Sequence, residues 1–171
     1  FSRHSFQVVA DNAYINSSLV KPLPANIHLT GGGRMDSALY DKPVPTKGTR
    51  GRPRVKGKRL PSPEHHEGKW VKCSMNIYGR PATIEFKVFD ALWYRCGGGR
   101  LLRFVMVRGW PGHLKNDVLM TTDLTMDAEK AIALYCQRWT IEETFHWVKD
   151  KLGFQDPQNR TKRSVQRTAP I

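Results

Sequence analysis

The sequence predicts an α/β fold that carries a β-rich insertion, and three observations predict it. The chain opens with an apolar strand, a short helix and a second strand. Its middle holds three strands joined by tight turns. It closes on a long amphipathic helical pattern. Strands and helices alternating in this way build layered α/β domains.

Each element has a local reason. Phe6 to Ala10 (FQVVA) is a short valine-rich run, as a buried strand requires, and Asp11-Asn12-Ala13 ends it. Tyr14 to Leu23 reads as a short helix stopped by Pro22 and Pro24. Asn26 to Thr30 (NIHLT) is a second strand, ended by Gly31-Gly32-Gly33. Strand, helix and strand together suggest a βαβ element with a parallel pair. From Asp41 to Glu67 the composition turns to Pro, Gly, Lys and Arg, which predicts a loop or linker rather than a packed element. Lys69 to Tyr78, Ala82 to Trp93 and Leu101 to Arg108 are expected strands of an antiparallel meander. Tyr78-Gly79-Arg80-Pro81 and Arg95-Cys96-Gly97-Gly98-Gly99 are its expected turns. Asp117 to Thr121 is a further strand. Thr125-Met126-Asp127 then caps one helix running from Ala128 to about Leu152, with Gly153 at its end. The expected organisation is thus a first core segment at 1–40, a basic Pro/Gly-rich linker at 41–68, the β-rich insertion at 69–112, and a core strand with the long helix at 113–171.

Charge narrows the function. Lys and Arg number 28 against 15 Asp and Glu, a net charge of +13. Such an excess on a chain of 171 residues is the electrostatic footprint of a nucleic-acid binder. Eight basic residues and no acidic one lie between Lys42 and Arg59. No apolar stretch is long enough to span a membrane, so no membrane partner is expected. Cys73, Cys96 and Cys136 are odd in number and far apart, without a C-x-x-C pair, so neither a zinc site nor a disulfide framework is expected. That usage suits a reducing, intracellular compartment. The chain begins at Phe1 beside a strand and ends without a helix stop, and is read as a fragment cut at both ends.

The last helix carries the chemistry. At roughly 100° per residue from Tyr135, Arg138 falls at about 300°, Glu142 at about 340° and Lys149 at about 320°. The four polar groups share one stripe beside an apolar face of Leu134, Ile141, Phe145, Val148 and Leu152. By spacing alone this is either a site at the core's boundary or a solvated face with an Arg138–Glu142 pair. Asp11 is equally open: strand ends are where α/β sheets place ligands, and Asp also caps helices.

Tyr135 to Lys149 (YCQRWTIEETFHWVK) reads Y-x2-R-x3-E-x6-K. This resembles the signature of the insertion-sequence DDE transposases, which have a ribonuclease-H-like catalytic core. Val8-Val9-Ala10-Asp11-Asn12-Ala13-Tyr14 resembles their second-Asp motif, and Met120-Thr121-Thr122-Asp123-Leu124 the strand end before their Glu helix. The resemblance covers nearly the whole chain, most loosely over residues 41 to 67. It implies a partial ribonuclease-H-like core with the β-rich insertion between the second-Asp strand and the Glu helix. It makes Asp11 the second catalytic Asp and Glu142 the third carboxylate. With a first Asp on an earlier strand they would hold two divalent ions, normally Mg2+. The implied reaction is nicking at transposon ends followed by strand transfer into target DNA. Tyr135, Arg138 and Lys149 would contact double-stranded DNA near the cut. Too little chain precedes Asp11 to hold the first Asp, so the fragment is expected to be inactive alone. The resemblance further implies a bacterial, cytoplasmic, nucleoid-associated protein, and leaves room for a homo-oligomer of the full-length protein.

Glu143 adjoins Glu142, but the four-point spacing selects Glu142. Arg50-Gly51-Arg52-Pro53-Arg54 resembles an AT-hook core, whose arginines enter a narrow minor groove, and reads equally as a basic loop on phosphates. The competing functions are a non-catalytic basic DNA-binding module and a ribonuclease-H-fold nuclease without strand transfer.

Overall fold

The computed structural model describes residues 4–44, 52–111 and 116–152, together with residues 161 and 163. The chain divides into two compact units, Phe1–Cys136 and Gln137–Ile171. The first is built on one eight-stranded sheet: β1 (Phe6–Ala10), β2 (Ile27–Gly32), β3 (Leu39–Tyr40), β4 (Arg59–Leu60), β5 (Val71–Ile77), β6 (Arg80–Leu92), β7 (Leu101–Arg108) and β8 (Asp117–Thr121). Their order is β1-β2-β8-β7-β6-β3-β4, with β5 also on β6.

β1 and β2 pair in parallel, as the opening strand–helix–strand pattern predicts. The crossover holds a 3₁₀ turn at Asn12–Tyr14 and a one-turn helix α1 (Ser17–Val20), shorter than the expected Tyr14–Leu23 helix. The Asn16 side chain caps α1 by accepting from the Ser18 and Leu19 amides. The meander β5–β6–β7 is antiparallel throughout. Tyr78 and Gly79 both have positive φ, 51° and 76°, which gives the two-residue turn between β5 and β6 its hairpin twist. Arg95 to Gly97 belongs to a one-turn helix α2 (Tyr94–Gly97) rather than to a plain turn.

β7 (LLRFVMVR) is central and apolar on both faces. Leu102, Phe104 and Met106 enter one cluster with Ala91, Met120, Leu29 and Val20. The alternating Val105 and Val107 enter a second with Ile84, Phe86 and Leu119. Strand alternation places these clusters on opposite faces of the sheet. α3 (Ala128–Gln137) closes the second one through Ala128, Ala131, Ile132 and Cys136. The β-rich segment therefore shares one sheet with β1, β2 and β8.

Three further expectations are corrected. β1 is not buried: it is an edge strand, and Phe6 and Val8 are exposed. Residues 41–67 are not wholly unpacked. Arg59 and Leu60 form β4 against β3, Leu60 packs on the core and Pro63 is buried in a 3₁₀ turn. The predicted single helix from Ala128 to Leu152 is interrupted at Arg138, which separates α3 from α4 (Trp139–Leu152). There Ile141 N donates to Arg138 O, an i to i+3 bond of 3.2 Å that tightens the turn. The tail at 153–160, including Gly153, lies outside the described residues.

Candidate active site

In the first unit the site starts at the end of β1. Asp11 leaves the strand with extended backbone and caps the 3₁₀ turn, its Oδ1 accepting from Asn12 N at 2.7 Å. The capping alternative read from the sequence is therefore realised. It occupies one carboxylate oxygen; Oδ2 has no hydrogen-bond partner among the described residues.

The neighbouring Gly31 and Gly32 explain how the chain can turn here. A Cβ on Gly32 would lie 1.4 Å from Asn12 Oδ1. A Cβ on Gly31 would lie 2.5 Å from Ile15 Cδ1 and 2.7 Å from Ala10 O. No real contact is that close, so the two glycines form the seat on which the Asp11–Ile15 segment rests. Sequence reading took the glycine run for a strand stop. Its use as a seat depends on β1 and β2 lying side by side, which a linear pattern does not state.

Asn12 is the residue that sequence reasoning passed over. Its Oδ1 accepts from the Tyr135 hydroxyl at 3.4 Å, across 123 positions of chain. Tyr135 reaches it because α3 is packed and the Tyr135 ring meets Trp110 edge-on, centroids 6.5 Å apart. Trp110 is 3% exposed and donates from Nε1 to Tyr78 Oη at 3.3 Å. Thus the first residue of the Y-R-E-K pattern and the strand end bearing Asp11 are brought together, with Asn12 as the joint. Asp123, between β8 and α3, ties the same strand to the helix entry. It accepts from Gln7 of β1 and caps Thr125. Burial pushes its carboxyl up, but hydrogen bonds from Thr125 and Gln7 outweigh this and hold it below the usual value.

The second unit holds Arg138, Glu142 and Lys149. The Arg138 guanidinium donates to Glu142, an i, i+4 ion pair spanning the start of α4. Trp139 Nε1 donates to Glu143 Oε1 at 3.1 Å, so the adjacent carboxylate has a different partner. Glu142 and Lys149, seven residues apart on one regular helix, project about 20° from one another. With the break at Arg138, the stripe can no longer be extended to Tyr135 by helical phase. The expected apolar face is also changed: α4 buries none of its residues, and Ile141, Phe145 and Leu152 are exposed.

Arg52 and Arg54 are exposed, and Arg50 lies outside the described residues. Among the described residues no group of three or more His, Cys, Asp or Glu side chains is placed to hold a metal ion. Asp11 and Glu142 each offer carboxylate oxygen, the donor a hard divalent cation takes. No described helix is long and apolar enough to cross a membrane.

Comparison with the curated proteins and with the solved structures gives no match. A family model does match, described as the transposase DDE domain, over residues 3–169. It takes in β1 with Asp11, the whole sheet and the pattern from Tyr135 to Lys149. The chain therefore belongs to the transposase DDE domain family, whose members act on DNA in transposition.

Proposed function

We propose that this chain supplies two of the three carboxylates of a metal-dependent DNA strand-cleaving and strand-joining site, Asp11 as the second and Glu142 as the third. The observation that best supports this reading is the Tyr135–Asn12 bond, which anchors one end of the Y-R-E-K pattern beside Asp11. The second support is Asp11 Oδ2 at a strand terminus, without a hydrogen-bond partner among the described residues.

Asp11 and Glu142, with a first carboxylate from an earlier strand, would hold two Mg2+ ions, which supply activation of the attacking oxygen and stabilisation of the leaving one. The chain's own residues do the rest. The Asn12–Tyr135 joint fixes the carboxylate's strand end against α3. Arg138 exchanges Glu142 for a DNA phosphate, which its planar fork can bind through two parallel hydrogen bonds. Lys149, one face of α4 with Glu142, adds a point charge to the same duplex. Arg50, Arg52 and Arg54 add salt-dependent affinity for double-stranded DNA. The setting in which this chemistry belongs is bacterial, cytoplasmic and nucleoid-associated, on transposon ends and target.

The test is Mg2+-dependent nicking of transposon-end DNA by a polypeptide that also carries the first carboxylate. Asp11→Asn and Glu142→Gln should each lower nicking on the order of 100- to 1000-fold, the scale of losing one group that stabilises transition-state charge. Full nicking by Glu142→Gln ends the catalytic assignment. Nicked DNA without joined products would instead favour a nuclease that never transfers strands.

A further inference from the structure

The basic stretch after β3 is held at its base. Tyr40 pairs with Arg59, Asp41 N donates to Lys58 O at 2.9 Å, and Gly57 N donates to Asp41 O at 2.9 Å. The Lys56 ammonium lies 4.2 Å above the Tyr40 ring and 5.6 Å from that of Tyr94. A Cβ on Gly57 would stand 2.5 Å from Lys42 O, so the outgoing and returning limbs touch. The described limb residues Lys42, Arg52, Arg54, Lys56, Lys58 and Arg59 are all exposed. Asp41 is the only carboxylate among the described residues from 41 to 59.

The place of this stretch follows from strand order. β4 is the last strand at one edge of the sheet, and β1, which ends at Asp11, is the last at the other. Six inter-strand steps of about 4.8 Å set the two edges roughly 29 Å apart. At a rise of 3.4 Å that span is about 8–9 base pairs of duplex. The limbs offer guanidinium and ammonium groups. Their neighbouring rings, Tyr40 and Tyr94, are covered by Lys56 rather than open as platforms for unpaired bases. This chemistry suits the phosphates of a double strand.

We propose that the β3–β4 edge is a second double-stranded DNA contact, offset about 8–9 base pairs from the nucleotide at Asp11, with the sheet as the rigid spacer. This rests on the reading of Asp11 as the site of the cut. An edge held by backbone pairing cannot close onto Asp11, so the basic residues grip the flanking duplex and leave the scissile phosphate to other groups.

The experiment uses the whole chain on a long duplex of random sequence, in a Cys73→Ser background. A photo-crosslinking benzoylphenylalanine replaces Tyr14, which is 64% exposed, and Val55→Cys carries an iron–EDTA chelate. After irradiation, hydroxyl radicals cut the crosslinked duplex, and each cut is mapped against its own crosslinked nucleotide. Cuts should centre about 8–9 base pairs away, within about 6–11. Cuts beside the crosslink overturn the offset, as does crosslinked DNA left uncut. Cuts without any crosslink at position 14 overturn the two-contact placement. In parallel, R52A/R54A/K58A should reduce the slope of log affinity against log salt by about two to three. The mapping needs no cleavage by the protein, so it can fail while the nicking test succeeds, and the reverse.

Discussion

Helices α3 and α4 read as one helix in the sequence and meet opposite fates. α3 buries Ala128, Ala131, Ile132 and Cys136 against the sheet, and α4 buries nothing. The difference reaches the candidate site. Tyr135 is positioned by tertiary packing, through Trp110 and the core beneath α3. Glu142 is positioned by its own neighbours, through an i, i+4 pair with Arg138. Packing fixes a side chain against many atoms at once, whereas an i, i+4 ion pair along a helix contributes only a few tenths of a kcal/mol. The two halves of one short motif are thus held by forces of different size.

The sharpest test sets one residue of each helix against the other. Ile132→Ala should cost about 2–5 kcal/mol, because Ile132 is fully buried and its removal leaves a cavity. Melting should fall by roughly 2–4 °C for each kcal/mol lost in a domain of this size. Phe145→Ala, at a residue 57% exposed, should stay within about 0.5 kcal/mol. Thermal melts of both variants check this. An equally large loss at Phe145 would erase the distinction between the helices.

A smaller effect is expected at the glycine seat. Gly32→Ala places a methyl where the Asn12 amide now sits, so Asn12 must move or the strand must shift. Inserting a methyl into a filled site costs about 1–3 kcal/mol. The displacement also breaks the Asn12–Tyr135 joint, so nicking should fall more than stability does. Denaturant melts and nicking rates measured on the same variant separate the two. Normal nicking with lowered stability would show that the joint does not position Asp11.

Much of this architecture was legible before the structure. The apolar β7 and the strand at Asp117–Thr121 obey local hydrophobic pattern, and their bounds coincide with expectation; the bounds of β1 do too, but it is an edge strand with Phe6 and Val8 exposed rather than the buried strand its valines suggest. The parallel β1–β2 pair followed from the short crossover between them. What escaped was non-local. Arg59-Leu60 is too short and too charged to announce a strand, and becomes one because β3 offers an open edge. The interruption at Arg138 has no proline or glycine to mark it. Tyr135, Arg138, Glu142 and Lys149 could be singled out from motif spacing and Asp11 from its place at a strand end, but Asn12 could not, because its role exists only where α3 meets β1.

The smallest expected effect concerns how α3 is attached to that strand. Asp123 bonds Gln7 of β1 at 3.0 Å and the Thr125 amide at 2.9 Å, and its carboxyl is held below the usual value by those bonds despite its burial. A carboxylate whose folded pKa is depressed stabilises the fold above its unfolded pKa, near 3.9. That contribution is lost as pH falls through the folded value. Wild-type stability should therefore decline below about pH 4 by an amount that Asp123→Asn does not show, because Asn does not titrate. The group is only partly buried, so the difference should be a few tenths to about 1 kcal/mol. Melting curves of the two chains from pH 6 to pH 3, taken at equal ionic strength, measure it. Parallel curves would mean that the end of β1 is tied to α3 through Tyr135 and the core alone, and that Asp123 serves only to start the helix.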